Sequence, residues 1–197
     1  MTINMKYLFI MSFTCLWYTS LFSQADSLHP PVNRKVRKFE RTTFINAKPE
    51  DVFGFMDDVN NTGMHMTKSS GAMMGSKLKF EWLTENKTGV GSTYHWDGKV
   101  MGMKMDFTVK VNEWEKSKRK VWGTTGPAKM IVIDWFQMYL VTTQKEDGKS
   151  EAKLGIYYTK HRGLWGFLLG KWYSKWCVKN MLGDTKKHFK NNGKGNN

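Results

Sequence analysis

Methionine and histidine are the most distinctive chemical resource of this chain, with 14 Met and 5 His in 197 residues. Met64, Met66, Met73 and Met74 crowd around His65, and Met101, Met103 and Met105 recur at alternate positions. Thioether sulfur is a soft donor, so such a group in an exported protein could hold Cu(I). Methionine is also flexible and polarizable, and lines adaptable apolar walls. Met103 and Met105 share their alternation with Phe107 and Val109, which favours the wall and no bound metal. His95 and Asp134 are the candidates for general acid/base chemistry, with Tyr94 beside them. His95 lies between Tyr94 and Trp96 on an alternating stretch, so its side chain should point away from theirs. Asp134 interrupts the apolar run MIVIDWFQMYLV. It is either a buried carboxylate with a raised pKa or an outer-face residue beside Gln137. Asp57 and Asp58 are adjacent on a helical pattern and diverge by about 100°, so they form no dyad. Asp58 and Asn60 instead suit the end of a helix.

No Gly-rich phosphate loop, Gly-x-Ser-x-Gly elbow, His-Glu-x-x-His or Cys-x-x-Cys occurs, and no cofactor is expected. The charge balance is strongly basic, 31 Lys+Arg against 17 Asp+Glu, a net +14. Nucleic-acid platforms need basic and aromatic residues on one face. Here the aromatics alternate inward and the lysines outward, which argues against such a partner.

These residues sit on elements that the pattern defines. Residues 37–45 suggest a first strand. PEDVFGFMDDV follows, with Pro49 suited to a first helical position and Glu50 and Asp51 to the positive end of the dipole. Val52, Phe55, Met56 and Val59 fall on one helical face. Residues 60–76 read as a short helix plus loop. The period then becomes two: Lys77 to Trp82, Thr93 to Asp97 and Met103 to Asn112 alternate apolar and polar groups, the mark of strands with one face buried. Further strands are expected at 120–124, 130–143 and 152–159, joined by short turns and therefore antiparallel. From Leu164 to Phe189 the period returns to 3.6, with Trp165, Leu168, Leu169, Trp172, Trp176 and Met181 near one face and Lys171, Lys175 and Lys179 opposite. A sheet with one apolar face must be covered, and this helix is the largest cover available. The class is α+β: a curved antiparallel sheet of about six or seven strands around a long C-terminal helix, with two short helices after the first strand. Such a sheet gripping a helix leaves a hollow.

The first 25 residues read as a secretory signal. Lys6 is their only charge, Tyr7 to Phe22 is apolar, and Ser23-Gln24-Ala25 is a small-x-small site. The 7–22 run is short for a spanning helix; an uncleaved membrane anchor is the alternative. Cleavage would leave Cys177 as the lone thiol. Residues 26–34 then form a linker, 35–190 the domain, and 191–197 a disordered tail. Export turns the basic balance toward anionic lipid or surface polymer.

The stretch FINAKPEDVFGFMDDVNNTGMHM, the Gly89-Val90-Gly91 lead into a strand and the terminal amphipathic helix together resemble the START-like (SRPBCC) superfamily with its polyketide cyclase/dehydrase group, over roughly residues 35–190. The resemblance implies a helix-grip domain with a cavity for lipids, polyketides or other apolar molecules, and it implies no shared catalytic residues. The expectation is an exported protein holding a hydrophobic small molecule or lipid, with Tyr94, Trp96, Met105, Phe107, Trp135, Tyr158, Leu168 and Trp172 around the cavity. Two rival readings are a cyclase or dehydratase acting through His95, Asp134 or Tyr94, and a protein docking on anionic membrane through Lys171, Lys175, Lys179, Lys186 and Lys187.

Overall fold

The computed structural model describes residues 30–63, 66, 78–100 and 102–192. Residues 1–29, with the expected signal and the start of the expected linker, residues 193–197, and Met64, His65, Met73, Met74 and Met101 lie outside the described residues. Seven strands form one open sheet: β1 (Arg37–Ile45), β2 (Leu78–Trp82), β3 (Thr93–Val100), β4 (Met103–Glu115), β5 (Arg119–Lys129), β6 (Ile133–Gln144) and β7 (Ser150–Lys160). Their spatial order is β1-β7-β6-β5-β4-β3-β2, antiparallel throughout. Short connections make each strand from β2 to β6 pair with the next in sequence. β1 is parted from β2 by helices and pairs with β7 instead, from Arg37 opposite Tyr158 to Ile45 opposite Ser150.

α1 (Pro49–Asp57) carries Pro at its start and Glu50 and Asp51 in its first turn, as the dipole favours. Its buried face is Pro49, Val52, Phe53, Met56 and Asp57. Phe55, expected on that face, stacks on His188 at the far end of the last helix, with ring centroids 4.3 Å apart. Asp58 ends α1 and caps α2 (Val59–Thr62), its carboxylate accepting the Asn60 N–H at 2.8 Å. Beneath α1 lies an ion pair that periodicity does not signal. Lys120 is 4% exposed, and its ammonium stands 2.6 Å from the Asp57 carboxylate and donates to the Asp57 carbonyl at 2.8 Å. Trp114 Nε1 donates to the other carboxylate oxygen at 2.9 Å. Burial pushes the Lys120 pKa down, and Asp57 opposes that shift.

α3 (Leu164–Asn192) packs on β7 and β1, and here the expected facing is corrected. Leu168 and Trp172 are 55% and 51% exposed, Trp165 is also exposed, and they share this solvent side with Lys171 and Lys179, which were expected opposite them. The face turned to the sheet is Gly166, Gly170 and Ser174, then Cys177, Val178, Met181, Leu182 and Thr185. The cause is backbone approach. A Cβ on Gly166 would stand 2.1 Å from the His161 carbonyl oxygen, and one on Gly170 would stand 2.9 Å from that of Val132. Only glycine lets the helix lie this close, and the bulky residues are turned outward. Asn191 and Asn192 belong to this helix rather than to a tail. The last residue of the expected linker is likewise fastened: Arg34 donates to the Asp134 carboxylate and to the Lys160 carbonyl.

Candidate functional site

Between the inner sheet face and α3 lies a hollow of about 70 Å³. Strand alternation sets its walls. Tyr94 and Trp96 come from β3, and Met105, Phe107 and Val109 from β4, with Trp122, Phe136, Met138 and Ile156 from the next three strands. α3 closes it with Tyr173, Cys177 and Met181, and Met66, Met130 and the Ile131–Ile133 stretch complete it at its ends. The Phe107 and Phe136 rings meet edge to face, centroids 6.1 Å apart at 78°, the geometry that aromatic quadrupoles favour.

Four of the eight expected cavity residues, Tyr94, Trp96, Met105 and Phe107, are in this wall. The other four are elsewhere. Trp135 is displaced by a bulge in β6, where the register shifts between Ile133 and Trp135. One extra residue flips the alternation, so Phe136 and Met138 face inward after it and Trp135 faces the opposite side. Tyr158 is buried, but its hydroxyl meets Ser174 beneath the helix rather than the hollow. Leu168 and Trp172 are on the solvent side of α3. Most of the lining lies outside the expected eight: Val109, which follows from the β4 alternation, then Trp122, Phe136, Met138 and Ile156 from the other strands, and Tyr173, Cys177 and Met181 from α3.

The two acid/base candidates are also away from the hollow. His95 points to the outer sheet face, where Nδ1 is 3.1 Å from Thr108 Oγ1 and Nε2 is 3.5 Å from Asp106. His95, Asp97 and Asp106 are the one cluster among the described residues that brings three potential metal ligands together. The Lys104 ammonium stands 2.7 Å from Asp106 and 3.9 Å from Asp97 within it. Asp134 takes the outer-face alternative: it sits in the bulge, paired with Arg34 and 3.8 Å from His161 Nε2.

The ionisable groups in the described wall are all held in their neutral forms. Burial raises the Tyr94 phenol, helped by the negative charge of Asp57. Burial likewise raises Tyr173 well above its ordinary value and pushes the Cys177 thiol up to about 12. The described lining contains no carboxylate, histidine or lysine. Such a surface can take up apolar groups and offer a few neutral hydrogen bonds through Tyr94, Tyr173 and Thr62.

No protein-family profile matches the sequence, and no curated protein matches it either. Solved structures do match in fold. Norcoclaurine synthase of Thalictrum flavum, as a point mutant with a transition-state analogue, superposes with a TM-score of 0.60 at 8% identity, over 82% of this chain and 99% of that one. A protein of Thermus thermophilus gives 0.55 at 17% identity, over 77% and 95% of the two chains. The Zhui aromatase/cyclase of a Streptomyces species gives 0.54 at 11% identity, over 78% and 95%. With the seven-stranded antiparallel sheet and the long terminal helix closing over it, these likenesses show that the chain has the helix-grip fold of the START-like proteins.

Proposed function

We propose that this protein is an exported carrier or receptor for a hydrophobic small molecule or lipid, which it holds between sheet and helix. The observation that carries the reading is the hollow itself, uncharged along its described lining and walled by aromatic rings and five methionines, Met66, Met105, Met130, Met138 and Met181. At about 70 Å³ it is smaller than the roughly 150 Å³ cavity that admits benzene. A larger guest therefore needs the methionines to swing aside. Their three rotatable bonds and soft sulfur make that inexpensive compared with moving branched side chains. The solved likenesses include a synthase and an aromatase/cyclase, which supports an apolar organic guest; the neutral wall supports binding rather than acid/base work. Export rests on the signal-like residues 1–25.

The test is native mass spectrometry of protein purified from its own host, followed by titration with a fluorescent sixteen-carbon fatty acid. A co-purified apolar molecule, and saturable one-to-one uptake of the probe that this molecule displaces, is the expected result. A protein that purifies empty and takes up no probe would end the proposal.

A further inference from the structure

The outer side of α3 is the strongest feature that ligand binding does not use. Ten large hydrophobic residues among those described are exposed, and five of them lie within three turns: Leu164 68%, Trp165 41%, Phe167 72%, Leu168 55% and Trp172 51%. Together they expose roughly 600 Å², at the upper end of the largest apolar patch on a typical soluble monomer. Burial of the glycine stripe forces this arrangement, so the ridge is built into the helix packing. Trp176 extends it, stacked on Trp172 with centroids 6.1 Å apart at 16°.

The charges around the ridge have one sign. From residue 164 to 183 the helix contains Lys171, Lys175 and Lys179 and no Asp or Glu. At 100° per residue the exposed Lys171 falls between Phe167 and Leu164 and the exposed Lys179 between Leu168 and Trp172, while Lys175 reaches over the Phe39 ring of β1 at 5.6 Å. Lys160 reaches over the Phe167 ring at 5.4 Å, and Arg162 is exposed beside it. Tryptophan, leucine and phenylalanine on one helix face, interspersed with lysines that can snorkel, match the lipid–water boundary of a membrane with anionic head groups.

A second observation comes from where the chain enters the fold. Arg34 is tied to Asp134 and to the carbonyl of Lys160, four residues before the helix begins. The described chain therefore begins close to the corner that carries the ridge. Among the described residues no helix is long and apolar enough to cross a membrane, so α3 would lie along the surface.

We propose that the first three turns of α3, with Lys171 and Lys179, form a docking surface for an anionic lipid bilayer. This inference goes beyond ligand binding and stands without it. It adds a geometry, because the opposite side of the same helix carries Tyr173, Cys177 and Met181 into the hollow. Docking sets a single helix between the bilayer and the bound guest.

The test uses the full chain in a Cys15→Ala, Cys177→Ala background, with a polarity-sensitive fluorophore on Leu168→Cys or, as a control site, on Val90→Cys, which is 62% exposed in a hairpin. The label is read with vesicles of phosphatidylcholine alone and with 30% phosphatidylglycerol. The expected result is a blue shift at 168 with the anionic vesicles only, and none at 90. Lys171→Gln with Lys179→Gln should weaken anionic-vesicle affinity read at 168 about thirtyfold. Because the readout is local, attachment through Tyr7–Phe22 alone does not produce it. No shift at 168, or equal shifts at 168 and 90, overturns the proposal. So does a label at 168 already shielded without vesicles: shielding that is lost on dilution means a second copy covers the ridge, and shielding that persists means the chain's own N-terminal run does.

Discussion

Replacing Phe107 by alanine separates a hollow from a solid core. The ring is 3% exposed; it meets Phe136 edge-on on one side and faces the hollow on another. In a fully packed site the substitution costs about 3–5 kcal/mol, as lost transfer energy plus the cavity left behind. Here the transfer part, about 1.5–3 kcal/mol, and the aromatic contact, about 0.5–1.5 kcal/mol, are still lost. These parts together are about 2–4.5 kcal/mol, and because the contacts on the hollow side do not exist to be lost the expected cost falls in the lower half, about 2–3 kcal/mol. The roughly 100 Å³ that the ring vacates joins a hollow of about 70 Å³. The combined space exceeds the roughly 150 Å³ that admits benzene. Phe107→Ala should therefore bind benzene or indole more tightly than the parent protein, which must first move its methionines aside. Urea unfolding gives the first quantity, and a benzene-dependent rise in melting temperature gives the second. A loss of 4–5 kcal/mol with no gain in benzene binding would mean that the ring is packed on every side, and the reasoning from the hollow would fall.

Two further outcomes follow from buried polar groups. Asp57→Asn strands the Lys120 ammonium, which is 4% exposed, without its counter-charge. The cost in urea unfolding should be about 3–5 kcal/mol, with much of it recovered when Lys120→Met is added; a single variant as stable as the parent would show that the pair contributes nothing. Burial holds the Cys177 thiol at about 12 against an ordinary value of 9.0. The native state therefore keeps its proton where the unfolded state loses it, and this group's contribution to stability falls as pH rises from about 9 to 12. Alkylation of the native thiol by iodoacetamide should stay slow at pH 10, and labelling that followed an ordinary thiolate titration would contradict the burial argument.

How far the sequence carried the structure depended on what kind of force placed each residue. The β4 alternation of Met105, Phe107 and Val109 against Asp106 and Thr108 translates directly into wall and solvent face, because a strand has only two sides. Trp135 shows the limit of that rule: one bulged residue at Asp134 reverses the parity after it, and no composition signal marks where a strand bulges. α3 fails for another reason. Its first half is apolar almost all round, so hydrophobicity does not choose a face, and the choice falls to the stripe Gly166, Gly170 and Ser174 that lets backbone approach backbone. The spacing of those small residues was visible in the sequence, but glycine in a helix reads first as weakness. The Asp57–Lys120 pair was hidden because a lysine in an alternating strand is ordinarily a solvated one.

The methionines in the wall carry a consequence of their own, in oxidation chemistry. Met105, Met130, Met138 and Met181 are each under 10% exposed, while Met66 is more open. Peroxide converts a thioether into a polar sulfoxide, which an apolar wall accommodates poorly. In the closed state only Met66 is within easy reach. The other four become vulnerable each time the sheet and α3 part, and a bound guest would shield them again. The order and pace of sulfoxide formation would thus time the opening of the hollow, and an oxidised wall would hold its guest less well until a reductase restored it.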